Sequence, residues 1–275
     1  MPGSADGTVR TGALIPVRLA SERLPGKALM PICGRPVLHH LLDRVVACRH
    51  VAGPEDAVVC TTEEASDDPL VEAVEAYGAS VFRGDADDII KRFHDAIDAF
   101  GFDAVVQVDG DDPLTEPRYM DLTMDRLLAD PGLGVVWSEG LPLGVNCKSF
   151  TRAAMKRVYD HYRRGPNDTG FIYYFTRTDL VGKATVAPES PEHVLDGARL
   201  TLDYEADLAV FTRIFEALYE DGEVFGLAET VAYLKAHPEV AAINADLDEG
   251  YWARTREKAR LSYRDDGGVV RRVPV

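Results

Sequence analysis

Between Pro16 and Lys27 the sequence PVRLASERLPGK sets three cations, Arg18, Arg23 and Lys27, against a single anion, Glu22. Pro16, Pro25 and Gly26 turn the chain here, which lets backbone amides converge while the three cations aim at one anionic ligand. Such a loop suits a triphosphate, and an exposed basic loop with a Pro-Gly turn has the same composition. The GxxxxGK[ST] pattern of ATPase phosphate loops is absent, because Ala28 follows Lys27 and no glycine stands five residues before Gly26. A GxGxxG dinucleotide fingerprint is absent as well.

A triphosphate is normally handled with Mg²⁺, which takes one or two carboxylates together with substrate phosphates. Two carboxylates qualify. Asp111, in Gly110-Asp111-Asp112-Pro113, follows a buried apolar run, and Asp203 follows Ala198–Leu202. The plain alternatives are a polar turn for Asp109, Asp111 and Asp112, and a helix cap at Tyr204 for Asp203. Asp207, four residues on, reads as structural. Asp87 and Asp88 open a helix, where Arg92 can pair with Asp88 at i+4. No Ser-His-Asp or Cys-His pattern has recognisable local context, and His193 reads as a loop residue.

These residues need a frame. Strands are predicted at 11–17, 56–62, 80–83 and 104–109, and helices at 36–49, 69–77, 88–100 and 116–129. Strands separated by helices argue for an α/β fold, a mostly parallel sheet with helices on both faces, whose ligands bind at the carboxyl ends of the strands. From about 133 to 190 the pattern loosens. Two short strands (134–137, 143–148) and two helices (151–162, 168–179) read there as an inserted lid that also contacts the acceptor and carries an aromatic cluster, Phe171 to Phe175, fit for an interface or for the core. A strand at 198–202 and helices at 204–219 and 227–236 follow, and residues 246–275 read as a polar surface arm.

The chain has 275 residues, 46% of them hydrophobic, enough for one large domain (12–245) with decorations. Its formal charge of −16 opposes a nucleic-acid partner. No apolar run nears a membrane span and the first ten residues lack a signal-peptide core, so a soluble cytoplasmic protein is expected. Cys33, Cys48, Cys60 and Cys147 form no CxxC pair and read as thiols.

PVRLASERLPGKAL, followed by the GRP of Gly34 to Pro36, resembles the P-x-R-x-x-S-x-R-L-P-G-K-x-L…G-x-P signature of cytidylyltransferases. These enzymes make CMP-3-deoxy-manno-octulosonate and serve the related spore-coat-polysaccharide and acidic-sugar pathways. The resemblance continues through GDADDIIKRF (84–93), VDGDDPL (108–114) and RLTLDYEADL (199–208). It implies a Rossmann-like fold of the nucleotide-diphospho-sugar transferase type. It implies a CTP site formed by Pro16, Arg18, Ser21, Arg23, Lys27, Gly84, Asp88, Arg92 and Gly110. Arg23, Lys27 and Asp111 are then catalytic, and Asp111 and Asp203 hold Mg²⁺. The acceptor's oxygen would displace pyrophosphate from the α-phosphorus of CTP, with Asn146, Lys148 and Arg177 facing a small anionic acceptor. Lys148 departs from the acidic residue that relatives often carry, and Asp109 adds a charge that the motif does not explain. The resemblance also implies a homodimer through the 140–190 region. Three other readings stay open: a phosphonate cytidylyltransferase, a catalytically silent nucleotide-binding subunit, and a glycosyltransferase using Asp109-Gly110-Asp111 as its DxD.

Overall fold

The fold is described from a computed structural model that covers residues 8–164, 170–259 and 261–274. In chain order, β1 (Thr11–Pro16) leads through the basic loop to a small hairpin, β2 (Pro31–Ile32) and β3 (Arg35–Pro36), and to α1 (Val37–Val46). Next come β4 (Ala57–Thr62), α2 (Asp68–Tyr77), β5 (Ser80–Gly84), α3 (Ile89–Phe100), β6 (Ala104–Gln107) and α4 (Pro117–Ala129). The second half runs β7 (Val135–Ser138), β8 (Lys148–Thr151), α5 (Arg152–His161), α6 (Tyr173–Thr176), β9 (Lys183–Val186), α7 (Glu205–Leu218) and α8 (Leu227–Ala236). It closes with α9 (Pro238–Ala241), α10 (Asp248–Lys258) and a hairpin, β10 (Ser262–Arg264) and β11 (Val270–Arg272).

Seven strands form one sheet in the order β5-β4-β1-β6-β8-β7-β9. Every pairing is parallel except the two made by β8, which runs against β6 and β7. The central parallel strands β1, β4 and β6 are mostly apolar because both faces are covered, and all six residues of β4 are buried. Alternation then sorts them. Ala13, Ile15, Val59 and Val106 face a core built with α1, α2, α4, α7 and α8. Leu14, Val58, Cys60 and Val105 face a second core built with α3, α5, α6 and the C-terminal hairpin.

Local chemistry sets the helix ends. The Asp88 side chain accepts the Lys91 amide at 2.9 Å to open α3, and Gly78, at φ 95°, closes α2. Among the described residues no helix is long and apolar enough to cross a membrane.

Residues 133–190 depart from the expected inserted lid, since they supply β7, β8 and β9 to the central sheet. The expected strand at 143–148 is shifted to 148–151. Leu143 makes only an isolated bridge to Arg199, because the sharp turn at Gly144 (φ 95°) brings its Cα against the 200–201 backbone, where a Cβ would lie 2.0 Å from the Leu200 carbonyl oxygen. The helix expected at 168–179 is limited to Tyr173–Thr176, and Asp168 and Thr169 lie outside the described residues. Phe171, Tyr174 and Phe175 are buried in the second core, so this cluster is used within the protomer. The strand expected at 198–202 is extended chain without a ladder: the Leu200 amide bonds to Leu143 and that of Leu202 to Asp111. The expected surface arm folds back: Leu261 and Val273 are buried, and α10 reaches the sheet's carboxyl edge.

Candidate active site

At that edge lies a cavity of about 510 Å³. Its walls come from the loop after β1 (Pro16, Arg18, Ser21, Arg23, Lys27), the loop after β6 (Asp109 to Asp112), and the turn before β8 (Asn146, Lys148). Ile172 and Tyr173, and Tyr251 to Lys258 on α10, complete it. The reversed β8 explains why Lys148 belongs here. Gln107 pairs with Lys148 in the ladder, so the start of β8 sits beside the end of β6.

The loop after β1 is fixed by local bonds. The amides of Ser21 and Gly26 both donate to the Leu19 carbonyl, at 2.8 and 3.0 Å, so these two are taken up within the loop. The Leu19 amide donates in turn to Asp67 at 2.8 Å, whose other oxygen accepts Thr61 and Thr62 hydroxyls at 2.9 and 2.5 Å. Asp67 is buried. Those hydrogen bonds outweigh burial and hold its carboxyl below the ordinary range. Gly110 lets the second loop touch the first: a Cβ there would lie 2.5 Å from the Pro16 carbonyl oxygen.

Lys27 is the meeting point. Its ammonium donates to Asp111 at 2.8 Å, to Asp203 at 3.0 Å and to the Leu202 carbonyl at 2.6 Å. Burial would depress its pKa, but the two carboxylates outweigh burial and raise it, so Lys27 carries its charge through neutral pH. The same pairing holds the Asp111 carboxyl below the ordinary range against the opposing effect of its surroundings. Asp111 keeps 30% of its side chain exposed to the cavity.

Asp203 differs. Its side chain is 1% exposed, one oxygen accepts Arg23 at 2.5 Å as well as Lys27, and the other accepts the buried Arg199 at 3.0 Å. It lies behind the lining, where it fixes cations. The helix cap it was weighed for belongs to Asp207, which accepts the amides of Asp203 and Tyr204 at 2.9 Å each, and Arg199 Nε as well.

Asp112 is buried, and burial together with Asp111 and Asp109 pushes its carboxyl well above the usual range. The unexplained charge on Asp109 and the unexplained lysine at 148 account for each other. Lys148 donates to Asp109 at 2.5 Å, and Gln107 donates to the other Asp109 oxygen at 2.9 Å. The charge on Lys148 is therefore matched within the protein, which weakens its reading as a contact for an anion. Asn146 lines the wall, its amide held by the Pro142 carbonyl at 3.1 Å.

Four residues expected at the site lie elsewhere. Gly84 ends β5, packed on Phe82 and Arg92. Asp88 is spent on its cap and on the Tyr162 hydroxyl, 2.7 Å away. Arg92 is buried beneath the 84–88 loop, its Nε donating to the Asp85 carbonyl at 3.0 Å. Arg177 is exposed and is not part of the cavity lining; its guanidinium lies 5.7 Å from the ring centre of the lining residue Tyr173.

The expectations missed Arg199, Asp67 and the α10 face. Tyr251, Arg254, Thr255 and Lys258 follow the i, i+3, i+4, i+7 spacing of one helix face, a signal present in the sequence.

Comparison with known proteins agrees with this geometry. The family model described as "Cytidylyltransferase" matches residues 12–162. An uncharacterized protein of Methanocaldococcus jannaschii is 25% identical over 89% of this chain and 98% of its own length. The 3-deoxy-manno-octulosonate cytidylyltransferase of Yersinia pseudotuberculosis is 32% identical over 67% of this chain and 69% of its own. The solved structure of a cytidylyltransferase from Leptospira borgpetersenii superposes with a TM-score of 0.76 at 26% identity, covering 85% of this chain and 97% of that one. A mixed, mostly parallel sheet with a cation loop at its carboxyl edge, and matches over more than half the chain, make this protein a member of the cytidylyltransferase family of nucleotidyltransferases.

Proposed function

We propose that the chain transfers CMP from CTP to a small anionic acceptor of the sugar-acid class and releases pyrophosphate. The observation that carries this reading is the contact of Lys27 with Asp111 at 2.8 Å inside the cavity, which joins two segments 84 residues apart. An acceptor oxygen forms the new bond to the α-phosphorus as the bond to the pyrophosphate oxygen breaks. Lys27 and Arg23 offset the charge that collects on the departing phosphates. Asp203, itself held by Arg199, acts behind them by keeping those cations in place.

Mg²⁺ is the cofactor expected of the family. Among the described residues no group of three His, Cys, Asp or Glu could hold a metal. One partly exposed carboxylate does suit an ion that arrives bound to substrate phosphates. Asp111 has that character, whereas both oxygens of Asp203 are taken by cations. When bound, the ion would neutralise phosphate charge and favour pyrophosphate departure.

The acceptor class rests on the name of the Yersinia relative and on Asn146 in the wall. A phosphonate acceptor is the second reading, and a silent nucleotide-binding subunit the third. Pyrophosphate release, measured with each of the four ribonucleoside triphosphates over a panel of sugar acids, neutral sugars and phosphonates, tests all three. CTP-specific release with a sugar acid is the expected result. Tight CTP binding with no release on any acceptor would overturn the enzymatic reading.

A further inference from the structure

Five cavity-lining residues come from α10: Tyr251, Trp252, Arg254, Thr255 and Lys258. The helix is tied down at Tyr251, whose ring centre lies 5.0 Å from the Arg199 guanidinium and 5.9 Å from that of Arg23. One and two turns on, it meets the phosphate loop itself. Arg254 is ion-paired with Glu22, and Lys258 donates to the same Glu22 oxygen at 3.1 Å.

The charges around the cavity divide into two sets. Arg23 and Lys27 are matched by Asp203 and Asp111, and Lys148 by Asp109. The other lining cations are Arg18, Arg254 and Lys258, and among the described residues Glu22 is ion-paired with the last two. Glu22 keeps 63% of its side chain exposed and each of its α10 partners 39%. Ion pairs this open to water are weak and screened by salt, so a multiply charged ligand that enters beside them competes well for both cations.

We propose that Arg254 and Lys258 are phosphate-binding residues of this site, which exchange the Glu22 carboxylate for the terminal phosphates of the triphosphate, the pair that leaves as pyrophosphate. Glu22 thereby acts as an internal competitor of the ligand. The inference deepens the cytidylyltransferase reading and rests on it.

Isothermal titration of the full chain with inorganic pyrophosphate and with CTP, at low and at high salt, tests the assignment. Arg254→Met and Lys258→Met should each weaken pyrophosphate binding about tenfold, the scale of a lost charge-assisted hydrogen bond. Glu22→Gln should tighten it severalfold, because the competitor is gone. This opposite sign separates a binding role from a structural one, since a pair that merely holds α10 in place would weaken binding from either end. Melting curves of the three variants confirm that folded proteins are compared. If wild type binds and all three variants match it, or Glu22→Gln weakens binding as the cation variants do, the inference falls and the parent reading stands. If Arg254→Met and Lys258→Met raise only the acceptor KM and leave pyrophosphate binding unchanged, the assignment to the terminal phosphates is overturned. Wild type that binds neither CTP nor pyrophosphate would overturn the parent reading itself.

Discussion

Asp203→Asn separates a metal-ligand role for Asp203 from a clamping role. The substitution keeps the side-chain volume and removes the charge that Arg23 approaches to 2.5 Å, Lys27 to 3.0 Å and Arg199 to 3.0 Å. Removing one partner from a buried ion pair costs about 3–5 kcal/mol. Two of these cations keep other carboxylates, Lys27 on Asp111 and Arg199 on Asp207, which places the cost near the lower end, about 3 kcal/mol. At about 2–4 °C per kcal/mol for domains near this size, the midpoint should fall by roughly 6–12 °C. The assay is calorimetric melting in chelator, so that no bound metal contributes to either protein. Asp111→Asn, at a partly exposed position, should move the midpoint by no more than about 3 °C in the same experiment while abolishing turnover. An Asp203→Asn midpoint equal to or above that of wild type would refute the clamp, because it would mark Asp203 as a like-charge liability that only a bound cation relieves.

Lys27→Met should lower turnover about 10²- to 10³-fold, the scale for losing one preorganised electrostatic contact to the transition state, read by continuous pyrophosphate release. Asp67→Asn should loosen the loop in a pH-dependent way. The folded pKa of Asp67 is depressed, so its stabilisation is present above the unfolded value of about 3.9 and is lost as pH falls through the folded one. The gap in melting midpoint between wild type and Asp67→Asn should therefore be widest near pH 7 and close toward pH 3. A gap that widens in acid would reverse the argument. Asp109→Asn and Lys148→Met should couple favourably by about 1 kcal/mol in a double-mutant cycle, a value discounted because Asp109 is 37% exposed. Additive effects would mean that the pair does not act as a unit. Phe175→Ala should destabilise the protomer by about 3–5 kcal/mol, since Phe175 is fully buried, whereas an interface role would make the loss depend on protein concentration.

The first half of the fold was legible because its signals are local. Apolar runs at β1, β4 and β6, the turn chemistry of Pro25-Gly26, and Gly78 closing α2 each act within a few residues. Lys27 and Asp111 were legible for the same reason, each sitting in a compact motif beside a strand end. Other features depended on neighbours distant in sequence. The segment 198–202 alternates like a strand, yet its amides find one carbonyl at Leu143 and another at Asp111 in place of a ladder. Asp88 and Arg92 resembled ligand contacts; Asp88 opens a helix, as its local alternative had it, whereas Arg92 braces the 84–88 loop from beneath, a role that depends on backbone carbonyls the sequence does not display. The α10 segment looked like a polar tail because a helix that covers a cavity of charges does not need an apolar face.

The loop is also the product of very long connections. Its contacts with Asp111, Asp203 and Arg254 span 84, 180 and 232 residues of chain. Loop-closure entropy must be met before such contacts give anything back, so the complete set of contacts depends on the fold that brings these distant segments together. During synthesis Lys27 can meet Asp111 well before its second carboxylate exists, and the counter-charge to Arg23 arrives only with residue 203. Until then the nascent protein displays a basic loop to polyanions that the finished protein, with its −16 formal charge, repels.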